Sequence, residues 1–169
     1  EGSQGHDRQA GADEVERVVT LIKAIGVDHC GIADTIGVGT PKRVQAVMER
    51  ALKHYPLHEV SGHFHDTYGQ ALANIYACLE LGVRTFDASV AGLGGCPYAK
   101  GATGNVATED VLFMLRGLGI ETGVDLETLM DCAEWISAAL GRRPGARVTQ
   151  ARRGSGFIGS RSTEVEPTG

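Results

Sequence analysis

The chain has 169 residues, a net charge of −5 at pH 7 and 42% hydrophobic residues, which is an ordinary composition for a soluble globular domain. The acidic balance gives no reason to expect nucleic-acid binding, and we expect no membrane span and no secretory signal, because neither pattern occurs. The four cysteines form no CxxC pair. We therefore expect reduced thiols and a cytoplasmic protein, without a disulfide or zinc framework.

Helical and strand-like patterns alternate from the start of the chain. Apolar residues at helical spacing predict a helix over residues 12–25, and a short strand-like run follows at residues 27–34. Thr40 suits the cap and Pro41 the first turn of a second helix. Pro56 ends that helix, so its predicted length is about four turns.

The alternation continues to residue 140. The remaining predicted elements are a strand at 59–65, a helix at 69–81, a strand at 84–90, a Gly-rich loop at 91–104, and helices at 105–118 and 125–140. Residues 141–169 are basic, Gly-rich and without period. We therefore expect one domain over residues 1–140 and a flexible tail over residues 141–169.

Strand–helix alternation at this spacing predicts an α/β fold with a parallel sheet. Three parallel strands alone leave open sheet edges, whereas a (β/α)₈ TIM barrel of about 250 residues closes its sheet. We therefore expect the C-terminal part of such a barrel, about three strands with flanking helices, with the N-terminal strands missing from this chain. The expected macromolecular partner is the missing N-terminal half of the barrel, or a second copy in a homodimer.

His63 and His65 are the strongest candidate ligands for a metal ion. They lie one residue apart, so on a strand both imidazoles project from the same face. They also end the strand, where the catalytic residues of barrels cluster. Neutral imidazole suits a divalent transition metal, and mixed nitrogen and oxygen ligation also admits Mg²⁺ or Mn²⁺. The alternative is a pair of sheet histidines that bond to the backbone.

Two aspartates have both a structural and a chemical interpretation. Asp34 ends the first predicted strand, and an Asp before Thr-Ile-Gly readily forms an Asx-turn. Alternatively, its carboxylate positions substrate or supports proton transfer. Asp66 follows the two histidines directly, and it either orients one of them or caps the next helix.

The Gly-rich loop and its end carry two further candidates. Cys96 lies in the Leu-Gly-Gly-Cys-Pro-Tyr run at residues 93–98, where a thiol can pack under the loop or exchange a proton at a reacting carbon. Asn105 can cap the following helix, with Glu109 and Asp110 near its first turn, or reach a metal with its side-chain oxygen.

Several of these segments together resemble the 3-hydroxy-3-methylglutaryl-CoA (HMG-CoA) lyase family, among the metal-dependent barrel lyases and synthases. The segments are DTIGVGTP at 34–41, HFHDTYGQALAN at 63–74, SVAGLGGCPY at 89–98 and GNVATED at 104–110. The His-x-His-Asp element alone fits the whole superfamily. The Gly-Gly-Cys-Pro loop separates the lyases from the synthases, which carry a Gly-Glu-Arg type of loop there. The resemblance runs from about residue 15 to residue 150.

The resemblance implies roles for individual residues. His63 and His65 match metal ligands, Asn105 matches a residue of the metal site, and the metal is Mg²⁺ or Mn²⁺. Cys96 matches a cysteine implicated in proton transfer. Asp34 matches the aspartate of the family's DTIG element, and Glu109 matches the glutamate near the loop. The implied substrate is an acyl-CoA, HMG-CoA, cleaved by a retro-Claisen reaction to acetyl-CoA and acetoacetate.

Those residue types fit the steps of such a cleavage. A base must take the proton of the tertiary hydroxyl, for which Asp34 and His63 are candidates. An acid must then protonate the thioester enolate, for which we expect Cys96.

One departure from the family pattern concerns the N-terminal part. The family also uses an Arg–Asp pair near its first strand, in which the Asp is a metal ligand and the Arg meets the substrate carbonyl, and nothing in residues 1–25 matches it. We therefore expect half a metal site, and weak or no turnover by this chain alone. The alternatives are a related 3-hydroxyacyl-CoA lyase or aldolase, and a non-catalytic truncated fragment.

Overall fold

The computed structural model describes residues 11–95 and 104–153. The described elements are, in chain order, α1 (Ala12–Ala24), β1 (Cys30–Asp34), α2 (Pro41–Leu52), a 3₁₀ helix (Leu57–Glu59), β2 (Val60–Phe64), α3 (Ala71–Glu80), β3 (Thr85–Asp87), a second 3₁₀ helix (Val90–Gly92), α4 (Thr108–Gly117), α5 (Leu126–Ala139) and α6 (Arg147–Arg153). In this part of the chain, no helix is both long and apolar enough to cross a membrane.

The three strands form one parallel sheet in the order β1-β2-β3. Ala33 lies opposite His63, and His63 lies opposite Asp87. Parallel neighbours need a long crossover connection, which α2 and α3 supply here. The structure thus confirms the predicted α/β fold with a parallel sheet. The third strand is shorter than the predicted 84–90, since it ends at Asp87 and a 3₁₀ helix begins at Val90.

The described chain divides into two compact units. The first unit contains residues up to Ser89 together with 94–106, and the second contains 90–93 and residues from Ala107 onward. The predicted domain over residues 1–140 stays a prediction. The three-stranded sheet lies entirely in the first unit.

The core of the first unit lies between the sheet and the helices α2 and α3. Alpha1 packs on α2, and α2 packs on α3. Burial of each large apolar side chain contributes about 1.5–3 kcal/mol relative to exposure, so this core stabilises the packing of the two helices on the sheet. Its fully buried large side chains are Met48, Tyr55, Val60, Phe64, Ile75 and Val83.

The second unit is built from α4, α5, α6 and the 3₁₀ helix Val90–Gly92. Leu112, Leu126 and Met130 form its buried apolar cluster. At the start of α5, Asp125 accepts the N–H of Thr128 at 2.8 Å, which confirms Asp125 as the cap of this helix.

The predicted flexible tail is wrong for residues 147–153, which form α6. The carboxylate of Asp110 accepts the backbone N–H groups of Arg147 at 3.1 Å and Val148 at 2.8 Å. Val148 also packs against the apolar cluster of the second unit. These contacts fix a segment whose own sequence has no helical period. Residues 154–169 of the predicted tail lie outside the described residues.

Candidate active site

The carboxyl ends of β1 and β2 bring the predicted site residues together. Asp34 is the last residue of β1, His63 lies in β2, and His65 follows β2 directly. Asn105 pairs with His65 through an isolated antiparallel bridge. These four residues therefore lie together at the carboxyl end of the sheet in the first unit. Cys96, the remaining predicted site residue, lies outside the described residues.

His63 and His65 face each other at this edge. Their ring centroids are 5.3 Å apart, at an interplanar angle of 53°. The side chain of His63 is 35% exposed, and its Nδ1 lies 3.3 Å from Oδ2 of Asp87. Sequence reasoning gave no role to Asp87, although it ends the neighbouring parallel strand and so had to reach the same edge. A carboxylate on one ring nitrogen fixes the orientation of the ring.

His65 is buried, and its surroundings favour the neutral form of its imidazole. Burial lowers the pKa of His65, the neighbouring His63 lowers it further, and Asp34 and a hydrogen bond with Asn105 partly oppose this. Its buried Nδ1 has no hydrogen-bond partner among the described residues. A neutral imidazole is the form that binds a metal ion.

Asn105 is held beside His65 by backbone hydrogen bonds on both sides. The N–H of Asp66 donates to the carbonyl of Gly104 at 3.0 Å, and the N–H of Val106 donates to the carbonyl of Phe64 at 3.2 Å. Because α4 begins at Thr108 with Ala107 at its cap position, Asn105 does not cap this helix. Of its two predicted roles, the one as a metal ligand therefore stays a prediction.

Two glycines allow the backbone to approach Asn105 closely. Gly94 has a φ of +107°, and a Cβ there would lie 2.6 Å from Nδ2 of Asn105. Gly104 has a φ of +87°, and a Cβ there would lie 1.8 Å from the carbonyl oxygen of Gly94. A Cβ at Gly104 would force the backbone to move, whereas one at Gly94 would displace the Asn105 side chain and strain a left-handed φ.

Asp34 forms the predicted turn with its carboxylate. Its Oδ1 accepts the N–H groups of Gly37 at 3.1 Å and Val38 at 3.2 Å, and its Oδ2 accepts that of Gly39 at 2.8 Å. The carbonyl of Gly39 in turn accepts from Nδ2 of Asn74 at 3.1 Å. Asn74 is fully buried, and sequence reasoning gave it no role. Both oxygens of Asp34 are therefore engaged in shaping the loop.

Asp66 also contacts the next helix. Its Oδ1 accepts the N–H of Ala71, the first residue of α3, at 3.1 Å. This contact matches the capping interpretation of Asp66.

The donor set at this edge fits part of a metal site. In residues 11–95 and 104–153, no three His, Cys, Asp or Glu side chains form a group that could hold a metal ion. His63, His65 and the amide of Asn105 nevertheless offer two nitrogen donors and one oxygen donor, a combination that suits a divalent ion. A further oxygen ligand would be needed to complete the hard-ligand environment of Mg²⁺.

Comparison with known proteins confirms the resemblance to the HMG-CoA lyase family. The HMGL-like family profile matches residues 1–136. The chain is 50% identical over 146 residues to the 3-hydroxy-3-isohexenylglutaryl-CoA/hydroxy-methylglutaryl-CoA lyase of Pseudomonas aeruginosa, covering 86% of this chain and 49% of that protein. It is 51% identical over 140 residues to the mitochondrial hydroxymethylglutaryl-CoA lyase of Gallus gallus, covering 83% and 47%.

A solved structure gives the same result for the fold. The structure of an HMG-CoA lyase from Acinetobacter baumannii in complex with coenzyme A and 3-methylmalate matches with a TM-score of 0.81 at 32% identity. The match covers 96% of this chain and 51% of that one. The chain spans about half the length of the curated relatives it matches.

Replacement of Gly104 by alanine tests the close approach beside Asn105. Gly104→Ala is expected to lower the free energy of unfolding by about 1–2 kcal/mol or more, because of the left-handed φ and the clash with the carbonyl of Gly94. Urea denaturation followed by circular dichroism measures the change. Gly117→Ala is the control, since a Cβ there meets no atom within 4 Å. Equal stability of the two variants would contradict the described approach.

The burial of His65 predicts a pH dependence of stability. Because its pKa is lowered in the folded chain, the unfolded chain binds a proton more readily below the ordinary histidine pKa of about 6.5. Its contribution is therefore present above about pH 6.5 and lost as the pH falls. Unfolding free energies between about pH 8 and pH 5.5 should fall more steeply for the wild type than for His65→Gln.

The matched control for this pH dependence is His58→Gln, because the His58 side chain is 81% exposed. This variant should keep the wild-type slope. Parallel curves for the wild type and His65→Gln would show that His65 is not buried as a neutral imidazole.

Proposed function

This chain belongs to the HMGL-like family, and on that premise we propose that it forms the metal-binding part of a carbon–carbon lyase that cleaves HMG-CoA to acetyl-CoA and acetoacetate. The observation that carries the proposal is the meeting of His63, His65 and Asn105 at the carboxyl edge of a parallel sheet. Sequence identity of 50% and 51% to two hydroxymethylglutaryl-CoA lyases supports this choice of substrate.

We propose that His63, His65 and Asn105 hold Mg²⁺ or Mn²⁺. The buried Nδ1 of His65 without a hydrogen-bond partner among the described residues supports this, since a buried polar atom with no partner costs free energy. When bound, such an ion polarises substrate oxygens and lowers the pKa of a coordinated hydroxyl. The Asp87 carboxylate would keep the His63 ring oriented.

The chain's own residues would move two protons. A base takes the proton of the 3-hydroxyl, the bond between C2 and C3 breaks, and its electron pair passes to the thioester enolate. The enolate carbon then takes a proton from an acid, for which we propose Cys96. Asp34 and His63 are the candidate bases. Because the His63 nitrogen beside Asp87 donates its proton to that carboxylate, His63 can act as the base only when its other nitrogen does not hold the ion. Asp34 has both oxygens engaged with backbone N–H groups, so we propose that it shapes the loop and places negative charge near His65.

We further propose that the sheet is the C-terminal part of a (β/α)₈ barrel and is completed by an N-terminal half. Within the described residues, β1 pairs with β2 and has a second, open edge. Beside this edge lies a groove of about 780 Å³ lined largely by apolar side chains of α1, β1 and α2, among them Val15, Ile22, Ile32 and Val47. A neighbouring strand and helix of a barrel would cover such a surface.

A second copy of the chain fits this edge less well. Two β1 strands related by a two-fold axis would pair antiparallel, whereas the sheet is parallel throughout its described strands. We therefore favour the N-terminal half of an HMGL-like chain as the partner over a homodimer. Relatives named mitochondrial and cytoplasmic both occur, so the cytoplasmic location stays a prediction.

Titration with Mn²⁺ tests the metal site. The isolated chain should bind Mn²⁺ weakly, because the proposed ligand set is incomplete. His65→Ala should lower the affinity by more than about tenfold, the smallest effect typical of losing even an outer partner of a metal ligand. His58→Ala is the control. Electron paramagnetic resonance of free Mn²⁺ measures the binding, and equal affinities of the two variants would rule out His65 as a ligand.

Complementation tests the lyase and the partial barrel together. The chain alone should release little acetoacetate from HMG-CoA in the presence of Mn²⁺. Addition of the N-terminal half of the Pseudomonas aeruginosa relative should raise the rate strongly and give a one-to-one complex in sedimentation. Cys96→Ala should abolish the gain, because the proposed acid is then missing.

The outcomes of this assay separate the two proposals. Near-full activity of the chain alone would contradict the partial barrel and leave the lyase standing. A one-to-one complex without cleavage of HMG-CoA would contradict the lyase. Preference for another 3-hydroxyacyl-CoA in a panel of thioesters would point to a related lyase, and a symmetric dimer of the chain alone would favour the homodimer.

A further inference from the structure

Glu109 is a fully buried carboxylate that the proposed reaction does not use. It lies in the first turn of α4. Both of its oxygens accept the backbone N–H of Ala91 at 3.0 Å, and Oε1 also accepts the hydroxyl of Thr149 at 3.3 Å. Burial raises the pKa of Glu109, and these hydrogen bonds oppose the rise. Burying a carboxylate costs free energy unless hydrogen-bond partners are held in place around it.

Ala91 is the residue that these bonds hold. Its φ of 57° makes it the one non-glycine residue with a left-handed backbone in the described chain. That conformation costs about 1–2 kcal/mol for an L-residue, so it persists only where the surroundings impose it. Its N–H is bound by Glu109, and its carbonyl accepts the N–H of Gly145 at 2.9 Å. Both backbone groups of Ala91 are thus fixed within the second unit.

The residues on the other side of Ala91 come from the end of the described chain. A Cβ at Gly145 would lie 2.7 Å from the Ala91 carbonyl oxygen, so the backbones are in direct contact there. Thr149 is buried in α6. Asp110, next to Glu109, binds the N–H groups at the start of α6. Two adjacent carboxylates therefore tie Ala91 and α6 to the same turn of α4.

We propose that Glu109, Thr149 and Gly145 form a clamp that imposes the left-handed turn at Ala91 and ties this turn to α4 and α6 within the second unit. Glu109 and Thr149 are positioning residues, since they act on the backbone of Ala91.

Amide NMR of the full 169-residue chain tests the clamp directly. Glu109→Gln and Thr149→Val keep the side-chain volume and remove, respectively, the charge and the hydroxyl donor. In both, the Ala91 amide proton should shift upfield and exchange with solvent about tenfold faster, the change expected from weakening one charged hydrogen bond. The Gly145 amide should exchange faster as well. A purely global loss of stability would instead change all protected amides together.

The control is Glu127→Gln. Glu127 also lies in the first turn of a helix of the second unit and binds α6, through Arg152 at 2.7 Å, but at an exposed position. This variant should leave the Ala91 amide unchanged. An Ala91 signal that does not move in Glu109→Gln, or that moves equally in Glu127→Gln, would overturn the clamp.

Discussion

The candidate site depends on the backbone hydrogen bonds that join residues 104–106 to the end of β2. The Asp66 N–H to the Gly104 carbonyl and the Val106 N–H to the Phe64 carbonyl enclose the pair His65 and Asn105 from both sides. Without them, a side chain from a distant loop would have no fixed distance to the histidines. The sheet fixes the histidines and this short bridge fixes the amide, so the proposed ligands come together from two segments that are far apart in sequence.

Local chemistry made much of this arrangement predictable. The spacing of His63 and His65 required both rings to lie on one face of a strand, and Asp125 capped its helix because that interaction spans three residues. The Asx-turn at Asp34 is equally local. Non-local interactions were not predictable. Helix α6 depends on Asp110, 37 residues earlier, so its own composition indicated a flexible tail.

The two histidines illustrate a second kind of information that only the structure supplies. Sequence spacing predicts that they are neighbours, but it does not give their environments. His63 is partly exposed and paired with Asp87, whereas His65 is buried with an unpartnered nitrogen. His63 and His65 therefore differ in exposure and hydrogen bonding, although they lie only two residues apart. The His63 ring is accessible and held by a carboxylate, whereas the surroundings of His65 favour its neutral form.

The sequence separation of the site residues has a consequence for how the chain folds. His65 and Asn105 are forty residues apart, as are Glu109 and Thr149. Closing loops of this size costs chain entropy before any contact compensates, whereas each strand and helix forms from nearby residues. The proposed ligand set and the clamp are therefore expected to form later than the individual helices, as is the sheet, whose first strand pair joins Cys30 to Val60. A growing chain that has not yet reached Asn105 would contain His63 and His65 but not the surroundings proposed to give them a chemical role.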